Sequence, residues 1–118
     1  MSLPNVLLQR SSLTETQFES LLSYRKVKSG QMHFRDAAGS RSKKPVTVGS
    51  YYRTVQQARN RVRESVVTIL IAMEIGLIRL EDVRRLLELV GKANTEVAEE
   101  DSERFGEILQ TLLDKIVM

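Results

Sequence analysis

The sequence contains no cysteine and only one histidine among its 118 residues. Without cysteine the chain can form neither a disulfide framework nor a thiolate metal site, and nothing favours secretion, so we expect a cytoplasmic protein. A metal site at His33 would need carboxylates as its only other ligands, which favours a surface or helix-flanking histidine. We therefore expect no metal and no other cofactor.

Long apolar runs are also missing. The longest, from Val66 to Met73, is much shorter than the roughly 20 residues that span a bilayer, and the first residues lack a signal-peptide pattern. We therefore expect no membrane-spanning helix and no membrane partner.

Catalytic motifs are scarce as well. No glycine-rich phosphate loop and no nucleophile elbow occurs in the sequence. One acidic run could hold a catalytic pair or a cation, but such a run usually forms a solvated helix start. Its residues are Glu96, Glu99, Glu100, Asp101 and Glu103. We expect a protein that is not an enzyme.

Charge is present in quantity and is segregated along the chain. Between Ser23 and Arg63 there are eleven lysines and arginines against the single acid Asp36, a formal charge of +10. From Glu64 onward twelve acids face six bases, a formal charge of −6. A basic block followed by an acidic one favours a half that binds a polyanion, joined to a half with another task.

Helical periodicity accounts for the first half of the chain. Thr14 is predicted to cap a first helix that runs to about Tyr24, with Gln17 completing a capping box. A short second helix is predicted within residues 31–38. The polar connection from Gly39 to Pro45 is predicted to be a loop, because proline lacks a backbone donor and restricts the residue before it.

A third helix is predicted to start after Thr47, its N-cap. Apolar residues recur on it at spacings of four, three, four and four, which predicts one buried face and an opposite polar face. The predicted buried residues are Tyr51, Val55, Ala58, Val62 and Val66. From Val66 to Met73 the polar face disappears, so this part is predicted to be a core helix continuous with the third.

The remaining sequence predicts two more helices. Gly76 is expected to end or kink the long helix, and Leu80–Val90 forms the next one with Gly91 as its stop. The final helix is expected to start between Thr95 and Asp101, and its apolar stripe runs from Phe105 to Val117. No segment requires a strand.

The segment from Val46 to Glu64, VTVGSYYRTVQQARNRVRE, resembles the recognition helix of the promoter-reading helix-turn-helix in bacterial sigma factors. In that family a hydroxylic cap precedes an apolar residue, a glycine and a second hydroxyl, and the helix ends in alternating arginines around an alanine and an aliphatic residue. The matching positions are Thr47, Val48, Gly49, Ser50, Ala58, Arg59, Arg61, Val62 and Arg63.

The two upstream helices look like the first two helices of the same unit, so the resemblance covers roughly half the chain. The connection from Gly39 to Pro45 departs from the family, whose turn is tighter and less basic. The arrangement is also similar to small archaeal proteins of unassigned role that carry a sigma-like helix-turn-helix.

The periodicity and the resemblance together predict an all-α fold, in which a helix-turn-helix is followed by a long core helix and a C-terminal helical hairpin. Residues 4–64 are assigned to the DNA-binding region. Residues 65–118 are assigned to a helical core and dimerisation region, in one compact domain overall.

The residue types suit DNA independently of the resemblance, because a helix fits the major groove and reads base edges from near its N-terminus. The predicted base-reading residues are Val48, Gly49, Ser50, Tyr52, Arg53, Gln56 and Gln57. The predicted phosphate-binding residues are Lys43, Lys44, Arg59, Arg61 and Arg63. The resulting hypothesis is a sequence-specific regulator of transcription that binds double-stranded DNA.

Two alternatives remain open at this stage. A basic helical surface also suits RNA, and Tyr24 and Tyr52 could then stack on unpaired bases. The acidic C-terminal helices could instead bind a protein partner, with the helix-turn-helix shape as a scaffold.

The apolar surface of the second half predicts assembly. A single small domain would struggle to bury both the Leu80–Val90 stripe and the stripe of the final helix. We expect a homodimer in which the final helix lies at a two-fold interface. The alternative is that this helix closes the core of the monomer. The sequence identifies no small-molecule effector.

Overall fold

A computed structural model describes residues 2–40, 46–96 and 99–117. The predicted all-α class is confirmed, because these residues form six α-helices and one short 3-10 helix and contain no strand. The helices are α1 (Leu3–Gln9), α2 (Glu15–Lys28), α3 (Phe34–Gly39), α4 (Val48–Glu74), α5 (Leu80–Glu96) and α6 (Ser102–Ile116), with the 3-10 helix at Glu99–Asp101.

The helices group into two compact units, one formed by Ser12–Ser65 and the other by Met1–Ser11 with Val66–Met118. The first carries eleven basic and four acidic residues, hence +7, and we call it the basic unit. The second carries seven basic and eleven acidic residues, hence −4, and we call it the acidic unit. Residues 4–11 therefore group with the C-terminal helices, and not with the DNA-binding region to which the sequence assigned them.

Residues 4–11 group with the acidic unit because α1 supplies part of the core of that unit. Leu3 of α1, Ala93 of α5, and Phe105 and Leu109 of α6 form one buried cluster. Partly buried leucines and a valine surround it, namely Leu7, Leu86, Leu89, Val90 and Leu113. In the apolar stripe of the final helix, Phe105 and Leu109 are therefore buried within this unit, whereas Ile108 and Val117 are exposed.

Side chains of α1 pack directly against the backbone of α6 at Gly106. A β-carbon built on Gly106 would collide with Cγ1 of Val6 and lie 2.9 Å from Nη1 of Arg10. Val6 is 1% exposed, and the same Arg10 nitrogen donates a hydrogen bond to its carbonyl oxygen at 3.2 Å. Only glycine fits at position 106 without a shift of the Val6 and Arg10 side chains or of α1 itself.

Two glycines in the left-handed conformation end helices. Gly30 has φ 81° and Gly76 has φ 76°. After α2 the Gln31 N–H donates to the Lys26 carbonyl at 2.9 Å, and after α4 the Leu77 N–H donates to the Ala72 carbonyl at 2.8 Å. Both are Schellman motifs. The helix end at Gly76 is confirmed, while α2 continues beyond the predicted end at Tyr24 until Gly30 stops it.

Gly91 does not stop a helix, contrary to the sequence prediction. It lies inside α5, which continues to Glu96. Its φ is not positive, so the backbone stays helical there. Glycine inside a helix costs stability relative to alanine but does not by itself end the helix.

The long helix α4 is continuous, as predicted, but its second half is not buried. Five aliphatic residues from Val66 to Ile71 are between 44% and 57% exposed, and Val62 is 45% exposed. Only Ala72 and Met73 in this part are half-buried. The predictions of a core helix at Val66–Met73 and of a buried Val62 are therefore wrong, since no described part of the chain covers these side chains.

The basic unit packs α2, α3 and the first half of α4 around a small core. Ala37 and Ala38 of α3 are buried with Tyr51 and Val55 of α4. Partly buried residues complete the cluster, namely Tyr24, Val27, Met32, Phe34 and Val46. The short helix predicted within residues 31–38 is α3. It begins at Phe34, and His33 occupies its N-cap position.

We expect Gly106→Ala to destabilise the fold by about 1–3 kcal/mol, because the added methyl group displaces the packed Val6 and Arg10 side chains of α1. Urea unfolding followed by circular dichroism measures the change. Gly91→Ala is the matched control. No atom lies within 4 Å of a β-carbon there, so it should stabilise the helix by about 0.5–1 kcal/mol. Stabilisation by both substitutions would contradict this packing of α1 on Gly106.

Candidate nucleic-acid interface

The start of α4 is fixed by two local contacts. Thr47 accepts a hydrogen bond from the Ser50 N–H at 3.1 Å through its hydroxyl, which confirms the predicted N-cap. The Val46 N–H donates to the Ala38 carbonyl at 3.2 Å. This second bond joins the end of α3 to the residue just before the cap of α4, and so holds together the two ends of the long connection.

Tyr51 determines which face of α4 points away from the core. Its hydroxyl lies 2.6 Å from the Ser23 hydroxyl and donates to the Ser20 carbonyl at 3.1 Å. Its ring meets Phe34 edge to face, with centroids 5.7 Å apart. Thr14 and Gln17 form the predicted capping box at the start of α2, so both helices joined by Tyr51 have capped N-termini.

Most of the predicted base-reading residues are exposed, although the ring of Tyr52 also lies 6.1 Å from that of Phe34, centroid to centroid. Val48 is 41% and Tyr52 is 49% exposed. Gly49, Ser50, Arg53 and Gln57 are exposed, and Gln56 is half-buried. A β-carbon on Gly49 would meet open space, so the backbone there is accessible. Six of the seven predicted readers are thus accessible along one helix.

The face opposite the core forms a continuous row. Gly49, Arg53, Gln57 and Asn60 follow one another at spacings of four, four and three, which places them on one side of a helix. The buried residues Tyr51, Val55 and Ala58 occupy the other side. Asn60 belongs to this row although we did not assign it to the site from the sequence; its spacing alone could have identified it.

The predicted phosphate-binding residues are not equivalent. Lys43 and Lys44 lie outside the described residues. Arg59 packs on α2, since its Nη1 donates to the Tyr24 hydroxyl at 3.4 Å and its guanidinium carbon lies 5.5 Å from the centre of that ring. Arg61 is exposed. Arg63 is exposed and its Nη1 donates to Oδ1 of Asn60 at 2.8 Å.

A polar cleft of about 590 Å³ joins two of the predicted residues to α2. It is lined by Gln17, Gln57, Asn60, Arg61 and Glu64. Amide groups donate and accept hydrogen bonds and Arg61 supplies a positive charge, but Glu64 supplies a negative one. The cleft therefore suits a polar ligand better than an isolated anion.

Three exposed cations at the end of α2 were left out of the predicted site. Arg25, Lys26 and Lys28 occupy its last turn, where positive charge also stabilises the helix dipole. Lys28 places its ammonium 5.7 Å from the centre of the Tyr24 ring. The charge count of the basic block included them, although no motif distinguished them.

Two of the residues considered for other chemistry, His33 and Glu103, can be placed in the described chain. His33 is exposed, and no cluster of three or more histidine, aspartate or glutamate side chains able to hold a metal occurs among the described residues. Glu103 lies in the first turn of α6. Among the described helices none is long and apolar enough to cross a membrane.

In comparisons with known proteins, no family model, curated protein or solved structure matches the chain.

We expect Tyr51→Phe to cost about 1–3 kcal/mol at neutral pH, because it removes the hydroxyl that bonds to Ser23 and Ser20. Tyr52→Phe is the matched control, because Tyr52 is the next residue in the chain and its side chain is half exposed. A surface change of this kind should stay within about 0.5 kcal/mol. Equal losses in the two variants would contradict the anchoring role of Tyr51.

The same substitution should alter the response to alkali. Burial raises the pKa of Tyr51 above its ordinary value of 10.0. Above pH 10 the unfolded chain releases this proton while the folded chain keeps it, so the folded state binds more protons and stability falls as the pH rises. The difference in unfolding free energy between wild type and Tyr51→Phe should narrow above pH 10. A free-energy difference that stays constant above pH 10 would contradict the raised pKa of Tyr51.

Proposed function

We propose that the protein binds double-stranded DNA with sequence specificity and regulates transcription, with the first half of α4 lying in the major groove. The proposed base contacts are made by Val48, Gly49, Ser50, Tyr52, Arg53, Gln56 and Gln57. Arg59, Arg61 and Arg63, with Lys43 and Lys44, are proposed to contact phosphates. The role is one of binding and not of catalysis, and it needs no cofactor.

The observation that carries this proposal is the division of α4 into two faces. Tyr51, Val55 and Ala58 are at most 1% exposed, whereas Gly49, Arg53 and Gln57 on the opposite side are exposed. A helix held by one face and presenting arginine and glutamine from its first turns is the arrangement that reads base edges.

Charge supports the same role. The basic unit carries +7, and cations bind DNA phosphates by releasing counterions. The order of a long helix, a short helix and a second long helix also supports the resemblance to the sigma-factor helix-turn-helix. The bond between Val46 and Ala38 ties the ends of the connection that departs from that family.

We further propose that the protein acts in the cytoplasm as a homodimer. Dimeric helix-turn-helix proteins bind paired half-sites, so two copies would read a two-fold symmetric operator. Gel shifts at several salt concentrations, with duplex DNA, single-stranded DNA and structured RNA, test the proposal. Preference for a selected duplex supports it. Preference for RNA, or no binding to any of the three, would favour the RNA-binding or the protein-binding alternative.

We expect Arg53→Ala to weaken binding to the best duplex by about 1–3 kcal/mol, with a much smaller loss on random DNA, because a bidentate contact to a base is sequence-specific. The best duplex is first selected from a random pool. Arg61→Ala is the matched control. It should weaken both DNAs similarly and reduce the salt slope by about one. An equal loss on both DNAs for Arg53→Ala would place Arg53 on a phosphate.

Replacing Lys43 and Lys44 together with alanine should weaken binding to all duplexes by a similar factor. The salt dependence of the binding constant should flatten by about two phosphate contacts. Titrations with a selected and a random duplex at several salt concentrations measure both quantities. A loss confined to the selected duplex would mean that these lysines read bases in a groove.

A further inference from the structure

The second half of α4 exposes more apolar surface than a helix in water normally does. Val66, Val67, Ile69, Leu70 and Ile71 are each about half exposed, and Ile75 after the helix is 69% exposed. A helix that is apolar on most sides is usually buried. This part of α4 therefore needs a covering partner.

One row of this surface has charged residues at its ends. Arg63, Val67, Leu70 and Glu74 follow one another at spacings of four, three and four, which places them on one face of the helix. All four are exposed, and we call this row the α4 seam. Val67 and Leu70 are the apolar residues of this row, and positions at alternating spacings of four and three are those along which two helices pack lengthwise.

The charges of the α4 seam decide the identity and the direction of the partner. In a parallel pair of copies Arg63 would face Arg63 and Glu74 would face Glu74, and like charges repel. In an antiparallel pair Arg63 of one copy lies beside Glu74 of the other, twice by symmetry. Val67 of each copy then meets Leu70 of the other.

We propose that a second copy of the chain packs antiparallel along the α4 seam. The proposal deepens the proposed function, on which its biological role rests, by naming the surface through which the DNA-binding protein forms a dimer. Arg63 then pairs with a carboxylate as well as with Asn60, since a guanidinium has five N–H donors. In the dimer this pairing replaces the phosphate contact proposed for Arg63, and the phosphate contacts are then made by Arg59, Arg61, Lys43 and Lys44.

The final helix is a weaker candidate for the interface. Phe105 and Leu109 are buried in the core of the acidic unit, and replacing them would unfold it. Ile108 on the same helix is 50% exposed, which makes it a fair comparison for a residue of the seam.

Sedimentation equilibrium of the full chain without DNA tests the proposal, at concentrations from one to tens of micromolar. The wild type should be a dimer. Leu70→Glu should be monomeric with unchanged helical content by circular dichroism, because the 54% exposed side chain contributes little to the monomer's own core. Ile108→Glu, the control on α6, should remain a dimer.

A charge exchange tests the direction of packing. Glu74→Arg places two arginines together at each end of the antiparallel seam and should raise the dimer dissociation constant about tenfold. The double variant Arg63→Glu/Glu74→Arg restores opposite charges and should return the constant to near the wild-type value. In a parallel dimer the double variant would gain nothing over the single one.

A monomeric wild type at tens of micromolar would overturn the proposal, and so would a Leu70→Glu variant that stays dimeric. Dissociation by Ile108→Glu alone would move the interface to α6. No rescue in the double variant would overturn the antiparallel arrangement. Each readout is independent of DNA, so a dimer that fails to bind duplex DNA would refute the proposed function and leave this inference intact.

Discussion

Burial of the Tyr51 side chain is the constraint on which the candidate interface depends. A helix that packs on two others can still rotate about its own axis, and that rotation decides which residues reach a ligand. Tyr51 removes this freedom, because its hydroxyl is bound to Ser23 and to the Ser20 carbonyl while its ring rests on Phe34. Two residues further along, Arg53 lies about 200° around the helix and so points outward.

The same anchor explains the small residues around it. Ser20 is 1% exposed, and its hydroxyl oxygen is buried without a hydrogen-bond partner among the described residues. Its carbonyl, however, accepts a hydrogen bond from Tyr51. Ser20 therefore contributes its size and its backbone more than its hydroxyl. Ala37 and Ala38 of α3 are equally small, and they bring that helix close to α4.

The sequence predicted best the features that are decided within a few residues. The capping box at Thr14, the N-cap at Thr47, the burial of Tyr51, Val55 and Ala58, and the helix end at Gly76 all depend on local geometry. The prediction from sequence failed where the structure of one segment depends on a contact with a distant segment. The pairing of α1 with α6 was missed, because it depends on a contact between opposite ends of the chain. Gly91 was misread because neighbouring helix formers outweigh one glycine.

At Val66–Met73 the apolar pattern was recognised in the sequence, but its interpretation as a core helix was wrong. An apolar segment without a polar side indicates that something must cover it, but the pattern does not specify whether the cover belongs to the same chain. Likewise, the exposed side of α4 could be predicted from its spacing, whereas the contacts that hold Arg59 on Tyr24 could not.

The contact between Gly106 and Val6 also restricts how this protein can vary. Any side chain at position 106 would occupy the space that the Val6 methyl group fills. A residue larger than glycine is therefore compatible with the fold only when position 6 becomes smaller. Among descendants of this sequence, positions 6 and 106 are expected to change together. This coupled variation would identify α1 as part of the fold.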